Sequence, residues 1–283
     1  MLSVVIPCRN VAHQLAGQLG ALRRQRHDAP FEVVISDNGS TDATREVAAS
    51  FASDLDLHVV DSSAQPGRSY ACNVGVGAAR GDAVLFVDAD DEVAPGYVAA
   101  MAEALSKAEF VAARLDCVSL NPGWPAGSRK PFQGDGLLDV FGFLPFAVGC
   151  SLGMSRRAFD LVGGFTHDVP FAEDVELCWR LHLAGIPLVF VPDAVLRYRY
   201  RDTLRGLYEQ TRGYGRGQVA LYRKYRSAGM PERSLQLTLR EWYWVARAVT
   251  ILRTKPGAAL WFHMLGYRVG RLQGSLRYRT RYL

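Results

Sequence analysis

No run of twenty apolar residues occurs in the chain, so no membrane-spanning helix is expected. The opening stretch, MLSVVIPCRN, lacks a basic region followed by a hydrophobic segment and a small-residue cleavage site. It reads as a buried strand rather than a signal peptide. Cysteine is sparse: five residues, at 8, 72, 117, 150 and 178, odd in number and without a CxxC pair. That excludes a disulfide framework and suits a reduced, cytoplasmic setting in which the thiols are small buried hydrophobes. The six histidines form no ligand-spaced cluster, so no histidine metal centre is expected. Internal repeats and low-complexity tracts are absent. One glycine-rich stretch, GVGAARG (75–81), leads into a strand, whereas a dinucleotide fingerprint follows a strand and opens a helix. A nicotinamide oxidoreductase is thereby excluded.

The chain has 283 residues, 49% of them hydrophobic and 22% charged, enough for a sizeable core. Its net charge of +5 conceals an asymmetry. From Arg201 onward there are 17 Lys and Arg against 4 Asp and Glu, so a tail of +13 follows a body of −8. A basic segment suits phosphate, nucleic acid or an anionic membrane.

The first half alternates strand and helix. Continuous apolar runs at 2–7, 31–36, 57–61 and 83–88 have the character of buried parallel strands. Helical stretches are predicted between them, at about 11–24, after the Asn38-Gly39 turn, and at 67–81. Pro95 is expected to open another helix. This βαβ pattern describes an open parallel sheet covered by helices, in which ligands bind beyond the carboxyl ends of the strands. Asp37 and Asp88 both fall at such ends. Further on, 119–136 reads as a Pro- and Gly-rich loop, 143–155 as a strand, 155–165 as a short helix, 173–185 as an amphipathic helix and 187–193 as a strand. From about Asp202 the chain is predicted to be helical, in three segments broken near 229–231 and 255–257.

Two acidic clusters carry the chemistry. In LFVDADDEV (85–93), Asp88, Asp90 and Asp91 repel one another unless something positive lies among them. Short carboxylates in a D-x-D pattern at a strand end suit a hard divalent cation, and Mg²⁺ in particular binds through one or two carboxylates plus substrate phosphates. A solvated acidic turn capping the next helix is the alternative. The second cluster, Glu173-Asp174, opens a helix, where acids are favoured by the helix dipole alone. It is also where a general base facing the first cluster would stand.

Taken in order, LSVVIPCRN, FEVVISDNGSTDAT, GRSYACNVGVGAARGDAVLFVDADD and GGFTHDVPFAEDVELCWRL resemble the motifs of family-2 glycosyltransferases, over about residues 2 to 195. The resemblance implies a GT-A fold: an α/β protein with a mostly parallel nucleotide-binding sheet flanked by helices, here with an α-helical C-terminal extension. It implies a catalytic domain over 1–200, divided into a nucleotide-sugar half (1–92) and an acceptor half (93–200), followed by the basic extension 201–283. The implied activity is inverting transfer from a nucleoside-diphosphate sugar, by default UDP-linked, to a hydroxyl of a carbohydrate or lipid-linked acceptor, with Mn²⁺ or Mg²⁺. Pro7, Arg9 and Asn10 would line the nucleotide pocket, and Asp37 would receive the base or ribose. Asp88 would lie near the ribose or donor sugar and share the metal with Asp90, while Asp91 would cap the next turn. Arg68 and Asn73 would border the donor pocket. Asp174 would be the base, and Glu173 would orient the acceptor or support the site.

The chain departs from the family pattern in three places. Asn38 stands where many relatives have a second Asp. Cys72 stands where relatives often have Arg, a charge Arg68 would replace. Where many relatives place a His after the VPDA strand, this chain has Arg197, Arg199 and Arg201 alternating with Tyr198 and Tyr200. One of these arginines would bind the diphosphate directly, or all three would lie on an exposed strand face. The tail joins Trp, Tyr, Phe and Leu to arginines at helical spacing, which suits peripheral contact with the inner face of an anionic membrane; packing on the catalytic domain or a homodimer contact is the alternative. Nucleic acid is not an expected partner. A sugar-nucleotide pyrophosphorylase would carry a basic Gly-rich loop after the first strand, and PCRNVAHQL is not one. A catalytically silent membrane- or nucleotide-binding adaptor on the same scaffold would be marked by loss of Asp88, Asp90 or Asp174, and all three are present.

Overall fold

The computed structural model describes residues 1–27, 29–127 and 131–283. Its strands are β1 (Leu2–Cys8), β2 (Phe31–Asp37), β3 (Leu57–Asp61), β4 (Ala83–Phe86), β5 (Glu92–Val93), β6 (Phe110–Asp116), β7 (Leu152–Ser155) and β8 (Val189–Arg197). The helices are α1 (Ala12–Arg23), α2 (Thr44–Ala49), α3 (Arg68–Ala78), α4 (Tyr97–Leu105), α5 (Trp124–Gly127), α6 (Arg156–Leu161), α7 (Glu173–Leu183), α8 (Leu204–Tyr225), α9 (Leu235–Arg247) and α10 (Lys255–Arg277).

All eight strands join one sheet in the order β3-β2-β1-β4-β7-β6-β8-β5. The half from β3 to β4 is parallel, in register Leu2↔Phe31 and Leu2↔Ala83. Beyond it β7 runs antiparallel to both β4 and β6, and β5 runs antiparallel to β8. The sheet is therefore parallel on one side, from β3 to β4, and mixed on the other. Alternation along the strands separates two cores. Val5, Val34, Val84 and Phe86 face α3, α6 and α7, while Val4, Ile6, Val33, Ile35 and Leu85 face α1, α2 and α4. Strands buried on both faces leave little room for polar side chains, so they read as mostly apolar runs; the exceptions are paired, buried Ser3 donating to buried Glu32 at 2.6 Å.

Several boundaries differ from the sequence reading. The stretch 143–155 is not one strand: Gly149–Ser151 form a 3₁₀ turn, only Leu152–Ser155 pair, and Phe146 makes an isolated bridge with Leu138. β6 has no strand signature, since Ala112, Ala113 and Arg114 interrupt it; its pairing with β7 and β8 makes it a strand. β8 runs on to Arg197, with a register shift opposite Ala113 and Arg114 that absorbs Pro192, which has no N–H for the ladder. Of the loop 119–136, residues 128–130 lie outside the described residues.

The C-terminal helices are attached to the body. Val219, Ala220, Leu221 and Tyr225 of α8 belong to the same core as α7. The Trp179 ring meets Phe141, Phe143 and Tyr225 edge-on at 5.0–5.4 Å, and its indole N–H donates to the Leu144 carbonyl at 2.9 Å. Glu176, fully buried, accepts from Arg180, Lys224 and the Tyr225 hydroxyl. This network fixes the position of α7, whose first turn carries Glu173 and Asp174. α10 lies against α8 at a separation only glycine permits: a Cβ on Gly215 would stand 2.3 Å from the Tyr267 carbonyl oxygen.

Candidate active site

At the carboxyl ends of β1, β2 and β4 lies a cavity of about 510 Å³. Pro7, Arg9 and Asn10 line it, together with Asn38, Gly67 and Arg68. β1 stops pairing with β4 at Val5, so Pro7 forfeits no ladder bond on that side. Asn10 adopts φ 54°; its amide N–H donates to Ser40 Oγ at 3.0 Å and its side-chain oxygen accepts from the Thr41 N–H at 2.7 Å. The loops after β1 and β2 are thus locked together. Asn38 Oδ1 accepts from the Gly67 N–H at 2.9 Å, and its amide nitrogen donates to the Gln65 carbonyl at 2.8 Å, which fixes the entrance to α3.

Two residues expected at this pocket stand behind it. Asp37 is fully buried, its carboxylate held by Arg45 and by the Ser40 N–H at 3.1 Å. Asn73 donates to the Phe165 carbonyl at 2.8 Å and accepts from the Phe165 N–H at 2.9 Å, pinning the turn after Gly163-Gly164 against α3. Neither lines a described cavity.

The loop after β4 joins this cavity to a second one of about 580 Å³. Arg68, Asp88, Asp90 and Arg201 line both. Arg68 donates through Nε and Nη2 to Asp88 Oδ1 at 3.1 and 3.0 Å. Arg201 Nη1 lies 3.3 Å from Asp90 Oδ2, and Arg199 Nε donates to the Asp90 carbonyl at 2.7 Å. Of the three alternating arginines, 199 and 201 therefore reach the acidic loop, and Arg197 lines neither cavity. Buried Gln18 supports the loop from below, donating to the Asp88 carbonyl at 3.2 Å and accepting from the Val93 N–H at 3.0 Å. Asp91 does not cap the next turn. It points into the core, where Oδ1 accepts from the Arg199 N–H at 2.8 Å and the buried Cys150 thiol lies beside the carboxyl.

The residues present fit a divalent cation. Burial, and then the charge of Asp88, push the Asp90 carboxyl above its ordinary range. Burial, with Asp90 and Asp88 adding to it, pushes Asp91 well above. Three carboxyls crowded at low dielectric are what a hard cation would relieve. Oxygen atoms of Asp88 and Asp91 come within 4.8 Å of one another and of Cys150 Sγ, but burial pushes that thiol up and leaves it a poor ligand for such an ion. Asp88 and Asp90, open to the cavity, are the residues that would hold it.

Glu173 and Asp174 line the second cavity with the acidic loop, and Arg68 lies between the two groups of acids. Asp174 Oδ2 accepts from the Gly149 N–H at 2.9 Å and Oδ1 from the Val175 N–H at 2.8 Å. Burial raises the Asp174 carboxyl; Arg68 and the backbone donors oppose it. Burial and then the neighbouring Asp174 raise Glu173. The result is a carboxylate fixed in orientation, with lone pairs left over and a proton affinity above that of a free aspartate. The sequence alone does not mark Gln18, Gly149 or Phe171, which holds φ 66° beside this pair; only the non-glycine αL backbone at Phe171 and the close approach at Gly149 reveal them.

The family model described as Glycosyl transferase family 2 matches residues 3–163. The chain is 29% identical over 237 residues to the succinoglycan biosynthesis protein ExoA of Rhizobium meliloti (strain 1021), covering 79% of this chain and 71% of that one. It is 32% identical over 223 residues to the validoxylamine A glucosyltransferase of Streptomyces hygroscopicus subsp. jinggangensis (strain 5008), covering 66% of this chain and about half, 53%, of that protein's length. Among solved structures, a mannosyltransferase from Pyrobaculum calidifontis, in complex with GDP-Man and Mn²⁺, superposes with a TM-score of 0.68 over 96% of this chain and 86% of that one, at 19% identity. That likeness gives the fold, GT-A, and the family match extends over more than half the chain. The protein belongs to glycosyl transferase family 2 and is a glycosyltransferase.

Proposed function

We propose that the protein transfers a sugar, with inversion, from a nucleoside-diphosphate sugar to a hydroxyl of a lipid-linked or cell-envelope polysaccharide acceptor. The observation that carries this reading is the pair of carboxylate groups, Asp88/Asp90 and Glu173/Asp174, on one cavity with Arg68 between them. The donor's nucleotide occupies the pocket of Pro7, Arg9 and Asn10, and its diphosphate reaches toward Asp88 and Asp90. UDP is the default nucleotide. Asp37 and Asn73 act at one remove, by holding the loops that form the pocket. Asp88 and Asp90 would hold a divalent cation, Mn²⁺ or Mg²⁺, which would supply positive charge to the departing diphosphate.

Asp174 takes the proton. Its carboxylate accepts the acceptor hydroxyl's hydrogen as the oxygen attacks the anomeric carbon from the face opposite the diphosphate. The C–O bond to the acceptor forms as the bond to the diphosphate oxygen breaks. The Gly149 and Val175 amides hold the carboxylate in place, and its raised proton affinity makes it a stronger base than a solvated aspartate. Glu173 orients the acceptor. Arg201 and Arg199 leave Asp90 for the diphosphate as it binds. Asp174→Asn is the test: donor affinity is retained and kcat falls by roughly 10²–10⁴, the usual worth of a general base. Turnover near that of the unsubstituted enzyme would reject Asp174 as the base.

The reading divides the chain into a catalytic body, 1–200, with donor half 1–92 and acceptor half 93–200, and a helical extension, 201–283. It includes a peripheral membrane contact on the cytoplasmic face. No helix among the described residues is long and apolar enough to cross a membrane. α9 and the turn after it expose Leu235, Leu239, Tyr243, Trp244, Val249 and Leu252, beside exposed Arg240, Arg247, Arg253 and Lys255. Apolar side chains flanked by cations suit an anionic interface.

A further inference from the structure

The acceptor side of Asp174 opens into a third cavity, of about 360 Å³, unlike the other two in character. Phe132, Phe141, Phe146, Val140, Val175 and Tyr267 contribute to its wall, and among its lining residues Asp174 is the sole carboxylate. It is continuous with the larger active-site cavity: Val148, Phe171, Asp174, Tyr198 and Tyr214 line both. Water gains few hydrogen bonds against such walls, and an apolar occupant gains by displacing it.

In the larger cavity, flanking Tyr214 in the sequence, α8 presents Arg212 and Arg216, four residues apart and so on one face of the helix. Arg212 lies 5.6 Å from the Tyr208 ring centre and Arg216 lies 5.0 Å from that of Phe171. Among the described residues neither guanidinium makes a hydrogen bond or an ion pair, and the Nε of each is buried without a partner. Their neighbours in the cavity are already engaged: Arg68 with Asp88, Arg201 with Asp90, Arg199 with Glu92. Two half-buried guanidiniums without acids are costly, and a bound anion removes the cost. Burial, and then repulsion from Arg212 and Arg277, hold Arg216 below the ordinary arginine range. The planar fork of arginine matches phosphate oxygens in pairs.

From the apolar cavity and the unpaired arginines in the larger cavity it opens into, we infer that the acceptor is an amphiphilic phosphate: an apolar chain seated among Phe132, Phe141 and Phe146, joined through a phosphate or diphosphate held by Arg212 and Arg216. This rests on the proposed acceptor side of Asp174 and deepens it. The phosphate on Arg212 and Arg216 places the attached sugar hydroxyl in the cavity that Asp174 lines, while the chain lies away from the donor pocket.

Geranyl phosphate, below its micelle concentration, is the probe, with geraniol and inorganic phosphate as controls. Binding is measured by calorimetry on the full-length protein, and UDP with Mn²⁺ is measured in parallel as a readout of the donor site. Geranyl phosphate is expected to bind more tightly than either control. Arg212→Gln with Arg216→Gln is expected to weaken it by roughly tenfold or more, from the loss of charged hydrogen bonds. Val140→Trp, at the exposed mouth of the apolar cavity, is expected to weaken it while leaving the nucleotide untouched. Geranyl phosphate affinity unchanged in the double variant would overturn the inference. So would geraniol binding as tightly, which marks an uncharged acceptor. Loss of nucleotide affinity in the double variant assigns the arginines to the donor and likewise overturns it. Failure of the nucleotide to bind the unsubstituted protein would count against the proposed function itself, not against the acceptor.

Discussion

Gly149→Ala isolates the placement of the base from its chemistry. The substitution changes no charge and removes no hydrogen bond. A Cβ at 149 would stand 2.8 Å from Arg68 Nη1 and 3.1 Å from the Asp174 Cβ. The first contact is with the end of a long side chain, but that end is held on Asp88 at 3.0 Å and does not swing away freely. The second contact is with the root of the candidate base, which must retreat by a few tenths of an ångström. Overpacking of this kind costs about 1 kcal/mol, at the low end of the range, because one neighbour is a side-chain terminus. Catalysis is more sensitive: a misplacement of about 1 Å costs ~10²-fold, so a few tenths should cost roughly tenfold in kcat. Donor affinity should fall less, because Arg68 remains within reach of Asp88. Steady-state kinetics with varied donor, beside a thermal midpoint shifted by only a few degrees, is the assay. A kcat within about twofold of the unsubstituted enzyme, in a folded variant, would refute the argument that the Gly149 contact positions Asp174.

Asp90→Ala should abolish the metal-dependent part of nucleoside-diphosphate binding, since one remaining carboxylate holds a hydrated cation poorly; calorimetry with and without Mn²⁺ checks it, and unchanged affinity would remove the D-x-D loop from the metal site. The acid limb of kcat/KM should lie above the ordinary aspartate value of about 4, because the Asp174 carboxyl is raised and is active only when deprotonated, so activity falls as pH drops through that raised pKa. A limb at or below the free-aspartate value would contradict the burial seen here. Leu239→Asp with Trp244→Glu, on the exposed face of α9, should abolish flotation with anionic liposomes without altering turnover on a soluble acceptor. Flotation unchanged by the pair would place the membrane contact elsewhere or dismiss it.

α8 makes the tail more than an appendage. Lys224 and Tyr225 complete the buried Glu176 network, and Arg212 and Arg216 reach the cavity that Asp174 lines. The positive charge concentrated beyond Arg201 therefore has two destinations. Part is turned outward on α9 and the turn after it, and part is turned inward at the active site.

The parallel half of the sheet was legible in the chain itself, because its information is local. Strands β1, β2 and β4 are buried on both faces and so appear as largely apolar runs. The loops at their carboxyl ends carry Arg9, Asn10 and Asp88-Ala-Asp90, whose spacing is set by the covalent backbone. Glu173-Asp174 was legible for the same reason, at the first turn of an amphipathic helix. What the tertiary structure decided is which side chains meet across long separations. Asp37 and Asn73 are turned to loops rather than to the pocket, because Arg45 and the Phe165 backbone reach them first. Asp91 is drawn inward by an amide of Arg199, 108 residues away. β6 becomes a strand only because β7 and β8 flank it, and no periodicity in 110–116 foretells its partners. Sequence spacing specifies what one strand or one helical turn presents; which acid finds an arginine, and which arginine is left without one, depends on packing between elements that the chain brings together only when folded.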